Sequence, residues 1–320
     1  MSYTGPGFDP PQPRRSRRGP LTVALAALVP GALLGWAVYA AVGGSGDDEG
    51  PGNTAASASP SASASASSRT SSPAPSASSE DEKPGAPAAA SGPLKGRVVV
   101  IDPGHNPENF KHTAEINRQV DIGTNHKECD TTGTSTDDGY AEADFTLDVA
   151  HRMRALLEKQ GATVKLTQDG DRPFGPCVDE RARIGNEAKA DAVVSLHADG
   201  SGTGNRGFHV ILPGAVDAGA ADTRAIVGPS EDLGTRIAGN FVRVTGSAPS
   251  NYVGGGTGLV TRKDLGGLNL STVPKVFIEC GNMRDSKDAA LLTSGAWRQK
   301  AAQGISDGIV SFLRGWGSAR

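Results

Sequence analysis

Three side chains that could bind a metal ion stand at the boundaries of predicted secondary-structure elements. His105 follows one predicted strand, Glu142 opens a predicted helix, and His197 follows a second predicted strand. Two histidines and one carboxylate, with a fourth position left open, form the ligand set of hydrolytic zinc sites. Glu279 comes directly after a third predicted strand and is a fourth candidate group. These residue types predict a zinc-dependent hydrolase.

Each of these residues also has a simpler interpretation when it is taken alone. A histidine in a loop is usually an ordinary loop residue, and a carboxylate such as Glu142 is favoured in the first turn of a helix by the helix dipole. Glu279 could be a buried carboxylate that pairs with an arginine. A second combination, His126 with Glu128, could supply a ligand in place of Glu142. Only the joint pattern, with four groups at one edge of one sheet, indicates a site.

The elements that would position these groups alternate between strand and helix. Runs of β-branched residues predict strands, and apolar residues at helical spacing predict helices. The alternation predicts an α/β fold of three layers, αβα, in which the middle layer is a mostly parallel, twisted sheet. Active sites of such sheets form at the carboxyl ends of the strands. The predicted strands are 97–101, 163–167, 192–196, 207–212 and 275–278, and the predicted helices are 142–160, 180–189, 230–244 and a terminal region from 288 to 312.

Four segments, in order, resemble the amidase-3 family of N-acetylmuramoyl-L-alanine amidases across residues 96–312. Residues 99–105, which end in Asp-Pro-Gly-His, are similar to the family's opening zinc-ligand motif. Glu142 with the strand at 164–167 is similar to its second ligand and following strand. Arg183, Asn186 and residues 190–199 resemble its third-ligand segment, and residues 274–281 resemble the strand that carries its catalytic glutamate.

The resemblance implies a zinc-dependent enzyme that cleaves the amide bond between N-acetylmuramic acid and L-alanine in bacterial peptidoglycan. It implies that His105, Glu142 and His197 bind Zn²⁺, and it favours Glu142 over the His126 and Glu128 pair. Glu279 would then act as general base and general acid. Two alternatives are a zinc carboxypeptidase of the cell wall and a catalytically inactive wall-binding or regulatory module.

Two further points stay open at this stage. Either Asp102 or Asp199 could orient a ligand histidine from behind the metal site. The sequence also departs from the usual family pattern at Asn106, Gln168 and Asn282. These departures concern specificity for the peptide more than the metal site, because no ligand position is missing.

The N-terminal third of the chain has a different composition from the rest. A basic cluster of arginines precedes an apolar run, and a tract rich in Ser, Ala and Pro follows it. This pattern predicts a cytoplasmic basic tail (1–20), a transmembrane anchor or cleaved signal sequence (21–43), a disordered linker (44–94) and a catalytic domain (95–320). We therefore expect a single-pass cell-membrane protein with an extracytoplasmic catalytic domain, or a secreted one if the apolar run is cleaved.

The net charge of the chain limits the kinds of partner that it can bind. The net charge of −3 argues against nucleic acid, because phosphate binding needs a basic surface. We expect instead that the protein binds peptidoglycan, contacts a membrane through its N-terminal segment and is a monomer.

Cys129 and Cys177 lie in loops of an exported domain, which predicts a disulfide between them and leaves Cys280 as the free thiol.

Overall fold

The computed structural model describes residues 92–316. The predicted basic tail, the apolar segment 21–43 and the linker up to residue 91 lie outside the described residues. Within residues 92–316, no helix combines the length and the apolar character needed to cross a membrane. The predicted cell-membrane location and membrane partner are therefore corrected, since the described chain supplies no membrane span.

The described residues form ten strands, six of which make the central sheet in the order β4-β1-β5-β10-β6-β9. β4, β1, β5 and β10 are parallel, β6 is antiparallel to β10, and β9 is parallel to β6. The prediction of a mostly parallel sheet is confirmed. In chain order the strands are β1 (Val98–Pro103), β2 (Gln119–Asp121), β3 (His126–Glu128), β4 (Thr163–Leu166), β5 (Ala192–Asp199), β6 (His209–Pro213), β7 (Asp217–Ala218), β8 (Ala221–Asp222), β9 (Leu259–Arg262) and β10 (Lys275–Asn282).

Helices cover both faces of this sheet and complete the three-layer αβα arrangement that the sequence predicts. The α-helices of the described chain are α1 (Thr113–Ile116), α2 (Glu142–Lys159), α3 (Val178–Glu187), α4 (Val227–Thr245), α5 (Gly266–Asn269), α6 (Ser286–Leu292) and α7 (Gly295–Trp316). α2, α4 and α7 pack together over one face and enclose the main hydrophobic core. The other face carries a thinner layer that includes α3 and α5.

The alternation of side chains along β10 decides which groups reach the site. Ile278 and Cys280 belong to the main core under α2, α4 and α7. Because successive residues of a strand point to opposite faces, Phe277 and Glu279 lie on the face of α3 and α5. The ring of His197 stacks on the ring of Phe277, with centroids 5.2 Å apart. His197 and Glu279 therefore share one face on neighbouring strands.

The structure differs from the sequence-based elements in the length of two strands and in several short elements. β5 and β10 extend to Asp199 and Asn282, so His197 and Glu279 lie within strands and not after them. The edge strand β9 and the hairpin β2–β3 are absent from the prediction, since each strand has only three or four residues and no clear apolar run.

The predicted disulfide is confirmed. Cys129 and Cys177 are bonded across a sequence separation of 48 residues, and Cys280 is free and buried. The bond ties the segment after β3 to Cys177, the residue that precedes α3. It thereby holds the hairpin beside the helix that borders the site.

Candidate metal and catalytic site

The structure brings His105, Glu142 and His197 together at the carboxyl edge of the sheet. Nε2 of His105 lies 3.2 Å from Oε1 of Glu142, and Nδ1 of His197 lies 3.0 Å from the same oxygen. One candidate ligand atom from each residue lies within 4.8 Å of the other two. A tetrahedral zinc ion with bonds of about 2.0–2.2 Å needs ligand atoms about 3.3 Å apart. The donor set and its spacing therefore fit zinc.

His105 is held in one tautomer by its own loop. The residue adopts a φ of 62°, a left-handed conformation that is uncommon outside glycine. Its Nδ1 donates to the carbonyl oxygen of Thr131 at 3.1 Å, and Oδ1 of Asp130 lies 3.5 Å from the same nitrogen. Since a carbonyl oxygen can only accept, Nδ1 carries a hydrogen, and Nε2 is the nitrogen that faces Glu142 and would bind a metal ion.

His197 is held in the opposite tautomer by two residues behind it. The hydroxyl of Ser195 donates its single hydrogen to Oδ2 of Asp102 at 2.9 Å. Its oxygen is then free to accept from Nε2–H of His197, at 3.2 Å. Nδ1 is then the nitrogen that faces Glu142 and would bind a metal ion. Orientation of a ligand histidine through its second nitrogen is the usual way in which metal sites are stiffened.

Glu142 is positioned at the start of α2, where its carboxylate receives two backbone hydrogen bonds. The amide of Ala198 donates to Oε1 at 3.1 Å, and the amide of Thr134 donates to Oε2 at 2.9 Å. Burial on its own would raise the pKa of Glu142, but the neighbouring His105 and His197 outweigh it and hold that pKa well below its usual range. Glu142 is thus a preformed anion between two imidazoles.

A buried charge network lies directly beneath the histidines. Arg181 donates to Oδ1 of Asp102 at 2.8 Å and to Oδ2 of Asp130 at 2.9 Å. Lys275, which has no exposed surface, donates from Nζ to Oδ2 of Asp102 at 3.0 Å. Burial acts to raise the pKa of Asp102, but Lys275 and Arg181 hold it well below the ordinary value. Both aspartates are therefore ionised and paired.

This network connects the outer nitrogens of the two histidines. Asp130 contacts the ring of His105, and Asp102 reaches the ring of His197 through Ser195. Arg181 joins the two aspartates, so a displacement of either ring disturbs a shared set of hydrogen bonds. The arrangement fixes the two rings relative to each other as well as to Glu142.

Glu279 lies beside this cluster on β10 and is the remaining ionisable group of the site. Its Oε2 is buried and has no hydrogen-bond partner among residues 92–316. Burial raises the pKa of Glu279 well above its ordinary value, and the charges of Glu142 and Asp199 raise it further. A divalent cation at the neighbouring ligands would act in the opposite direction. The geometry leaves this carboxyl group available for a proton.

A groove of about 250 Å³ opens next to the candidate ligands. Its lining includes Phe277, the first residues of α5 and charged side chains of both signs. Besides Asp130 and Arg181 of the buried network, the charged residues are Lys127 and Glu128 from the hairpin and Asp264 from the segment before α5. The groove is therefore suited to a substrate that carries ionised groups.

The structure also decides between the alternatives that the sequence leaves open. His126 is exposed on β3 and lies outside the metal-binding cluster of the described chain, so the His126 and Glu128 combination is not assembled there. Asp199 accepts from the hydroxyl of Tyr252 at 2.7 Å. Asp102, and not Asp199, is therefore the carboxylate that stands behind a candidate ligand.

Some residues of the buried network are missing from the sequence-based prediction, among them Arg181 and Asp130. Arg183 lies in the segment that resembles the third-ligand motif, yet its side chain is exposed and pairs with Glu187. Arg181, two residues earlier, is the buried arginine that binds Asp102. A signal was present, because Arg181 and the small Gly185 are spaced by four residues and share one face of α3.

The sequence model described as N-acetylmuramoyl-L-alanine amidase, of the amidase-3 type, matches residues 99–311. This chain belongs to the amidase-3 family. The match spans the amidase from β1 to the last turns of α7 and includes all four predicted site residues.

Mycobacterial amidases are among the most similar relatives. The N-acetylmuramoyl-L-alanine amidase Rv3717 of Mycobacterium tuberculosis is 42% identical over 229 residues, which is 71% of this chain and 90% of that protein. The crystal structure of the amidase Ami1 from Mycobacterium smegmatis has a TM-score of 0.63 and 41% sequence identity. The match covers 70% of this chain and 99% of the Ami1 chain. The crystal structure of Ami1 from Mycobacterium abscessus has a TM-score of 0.63 and 40% sequence identity. The match covers 69% of this chain and 100% of that chain.

Proposed function

We propose that this amidase hydrolyses the bond between N-acetylmuramic acid and L-alanine with a Zn²⁺ ion held by His105, Glu142 and His197, and with Glu279 as general base and acid. One observation carries the proposal. One nitrogen of each imidazole and the ionised carboxylate of Glu142 converge within 4.8 Å of one another, and Glu279, with a buried unpartnered oxygen, lies opposite His197 on the neighbouring strand.

Zinc, when bound, supplies Lewis acidity and lowers the pKa of water to about 7. Two neutral histidines and one carboxylate leave the site with net positive charge, which favours a developing oxyanion. The histidines and Glu142 then act only as ligands, and the buried network beneath them keeps the ligand geometry constant.

Glu279 performs the proton transfers in this proposal. Its Oε2 accepts a proton from the attacking water while the water oxygen forms a bond to the lactyl carbonyl carbon. The same proton then passes to the nitrogen of L-alanine as the carbon–nitrogen bond breaks. The products are a free lactyl carboxylate on the sugar and a peptide with a free amino terminus. Burial, which raises the pKa of Glu279, favours this acid–base role.

The test is to digest purified peptidoglycan with the protein and identify the products by mass spectrometry, with and without a chelator. We expect peptides that begin with L-alanine, intact glycan strands that retain the lactyl group, and loss of both products when metal is removed and recovery when zinc returns. Release of a terminal amino acid in place of the whole peptide would overturn the assigned bond. Undiminished activity after complete removal of metal would overturn the zinc site.

A further inference from the structure

Asn269 joins two of the segments that line the groove, although it does not line the groove itself. One segment is the hairpin β2–β3, which contributes residues 127 and 128, and the other comprises residues 264–267, before and within α5. Asn269 is the last residue of α5, is only 1% exposed and is absent from the groove lining. It can therefore act on a substrate only through the segments that it joins.

The side-chain amide of Asn269 contacts three acceptors in these two segments. Nδ2 donates to the carbonyl oxygen of Lys263 at 2.9 Å, to Oγ1 of Thr124 at 3.1 Å and to the carbonyl oxygen of Ile122 at 3.3 Å. The hydroxyl of Thr124 in turn donates to the carbonyl oxygen of Lys263 at 3.4 Å. The turn of the hairpin and the segment before α5 are thus bonded to one buried amide.

The orientation of this amide follows from its neighbours. The carbonyl oxygens of Ile122 and Lys263 can only accept, so the nitrogen of Asn269, and not its oxygen, must face them. Oδ1 of Asn269 is buried and has no hydrogen-bond partner among residues 92–316. The contribution of this side chain is therefore that of a donor, which an alanine at the same position cannot make.

Two glycines let α5 pack closely against both the hairpin and the sheet. A Cβ atom at Gly266 would lie 2.7 Å from Cγ2 of Ile122 and of Val178, and a Cβ atom at Gly267 would lie 3.0 Å from the ring of Phe277. Because packed interiors leave no space for such an approach, these contacts need glycine. A shift of the hairpin turn relative to α5 would therefore change the shape of the groove.

The strand that carries the two charged groove residues 127 and 128 is attached at both ends. Cys129 follows them directly and forms the disulfide. On the other side, Thr124 is held by Asn269. None of residues 125–128 belongs to a hydrophobic cluster of the described chain. The position of this strand thus depends on one covalent and one hydrogen-bonded attachment.

We propose that Asn269 is a positioning residue for substrate binding. It fixes the hairpin turn against the segment before α5, and so holds the charged groove residues in the arrangement that binds the ionised peptide of the substrate. This inference rests on the proposed function, since it places that peptide in the groove. The predicted metal ligands and Glu279 lie on or next to other elements, so loss of the Asn269 bonds affects binding and not the chemical step.

The first measurement separates KM from kcat on a soluble muropeptide. In full-length, zinc-loaded protein, Asn269→Ala should raise KM about three- to tenfold, the value of about one hydrogen bond, and should leave kcat within about twofold. Zinc content should be unchanged. Thr124→Val removes one acceptor of the same amide from an exposed residue, so it should raise KM in the same direction by a smaller factor. If Asn269→Ala fails to fold, Thr124→Val decides.

Asn251→Ala is the matched control. Asn251 also joins loop segments through its side chain, which donates to the carbonyl oxygen of Gly204 at 3.0 Å and accepts from the amide of Arg206 at 2.9 Å. It is not among the residues that line the groove. Its KM should equal that of the wild type, because the loops that it joins do not contribute to peptide binding.

Hydrogen exchange tests the attachment without turnover. Peptides that cover residues 119–128 should exchange faster in Asn269→Ala than in the wild type, whereas those from β5 and β10 should exchange at the same rate. Unchanged exchange of the hairpin would overturn the proposal, as would an unchanged KM or a fall in kcat at constant KM. Failure of the wild type to cleave muropeptides would instead contradict the proposed function, which the product analysis tests separately.

Discussion

At the scale of single residues, the proposed zinc site depends on the tautomers of two histidines. His105 is expected to present Nε2 to a metal ion and His197 to present Nδ1. In each ring the N–H of the other nitrogen donates to a fixed acceptor. The acceptors are Thr131 and Ser195, and the second of these is itself held by Asp102. The proposed ligand set would therefore depend on residues outside it, as is common in metal sites.

The first residue-scale prediction concerns Glu279. Glu279→Gln should retain full zinc content and lose about 10²–10⁴-fold in turnover, because an amide cannot exchange the proton. Metal analysis and a muropeptide assay on the same preparation measure the two quantities. Glu158→Gln is the matched control, since Glu158 is exposed on α2 and lies outside both the groove and the ligand cluster, and it should retain turnover. Normal turnover of Glu279→Gln would exclude the acid–base role.

The second residue-scale prediction separates two neighbouring arginines. Arg181→Met leaves two buried aspartates with only Lys275 to compensate them, so it should lower the free energy of unfolding by about 3–5 kcal/mol. Zinc affinity of the folded variant should fall by about 10–100-fold. Denaturant titration and chelator competition measure these effects.

Arg183→Met provides the contrast within the same helix. Its exposed ion pair with Glu187 is worth little, so stability should change by no more than about 1 kcal/mol and zinc affinity should stay the same. Equal effects of the two substitutions would show that the buried network does not support the site.

At the scale of elements, the short hairpin β2–β3 forms one wall of the groove although it has little core of its own. Val120, Ile122 and the two bonded cysteines make a small separate cluster. The disulfide compensates for this limited apolar contact by joining the hairpin to α3. The wall that carries Lys127 and Glu128 is thus held by a covalent bond more than by packing.

The element-scale prediction concerns the stability of the protein without this disulfide. In the chain-entropy model, closing a 48-residue loop is worth about 4 kcal/mol, so the Cys129→Ser, Cys177→Ser protein should be less stable by up to that amount. Denaturant titration measures the loss. Thiol counting on the denatured, unreduced wild type should find one thiol, that of Cys280. Three titratable thiols would show that the bond is not formed.

At the scale of the whole molecule, the position where the folded domain begins can be refined. Leu94 has no exposed surface, belongs to the main core, and donates its amide to the carbonyl oxygen of Gln160 at 2.9 Å. The predicted boundary at residue 95 would remove it. We propose that the catalytic domain begins at or before Gly92 and that residues 1–91 contribute nothing to the chemistry.

Two truncated proteins test this boundary. One that starts at Gly92 should fold, bind zinc and cleave soluble muropeptides at close to the full-length rate. One that starts at Gly96 loses Leu94 and should be less stable by about 2–5 kcal/mol, the usual cost of deleting a buried leucine side chain. Calorimetry and a soluble assay measure both. An inactive, zinc-loaded protein starting at Gly92 would show that the N-terminal third takes part in catalysis.

The local sequence determined the elements that carry the ligands. β-branched runs and apolar periodicity are read from neighbouring residues, so β1, β5, β10 and the long helix from Glu142 could be predicted within a few residues. Their order also specified the α/β class and placed His105, His197 and Glu279 at one edge. The pairing of Cys129 with Cys177 followed from there being only three cysteines, one of them in a buried strand.

The tertiary structure alone decided how those groups are held. Arg181 and Asp130 are 51 residues apart, and Lys275 and Asp102 are 173 apart, so no local pattern relates them. The same holds for the choice of Asp102 over Asp199, which depends on Ser195 lying between Asp102 and His197. Long-range ion pairs and cavities form only when distant segments of the chain pack together. Local sequence patterns describe only residues that are close in the chain, so they do not predict these contacts.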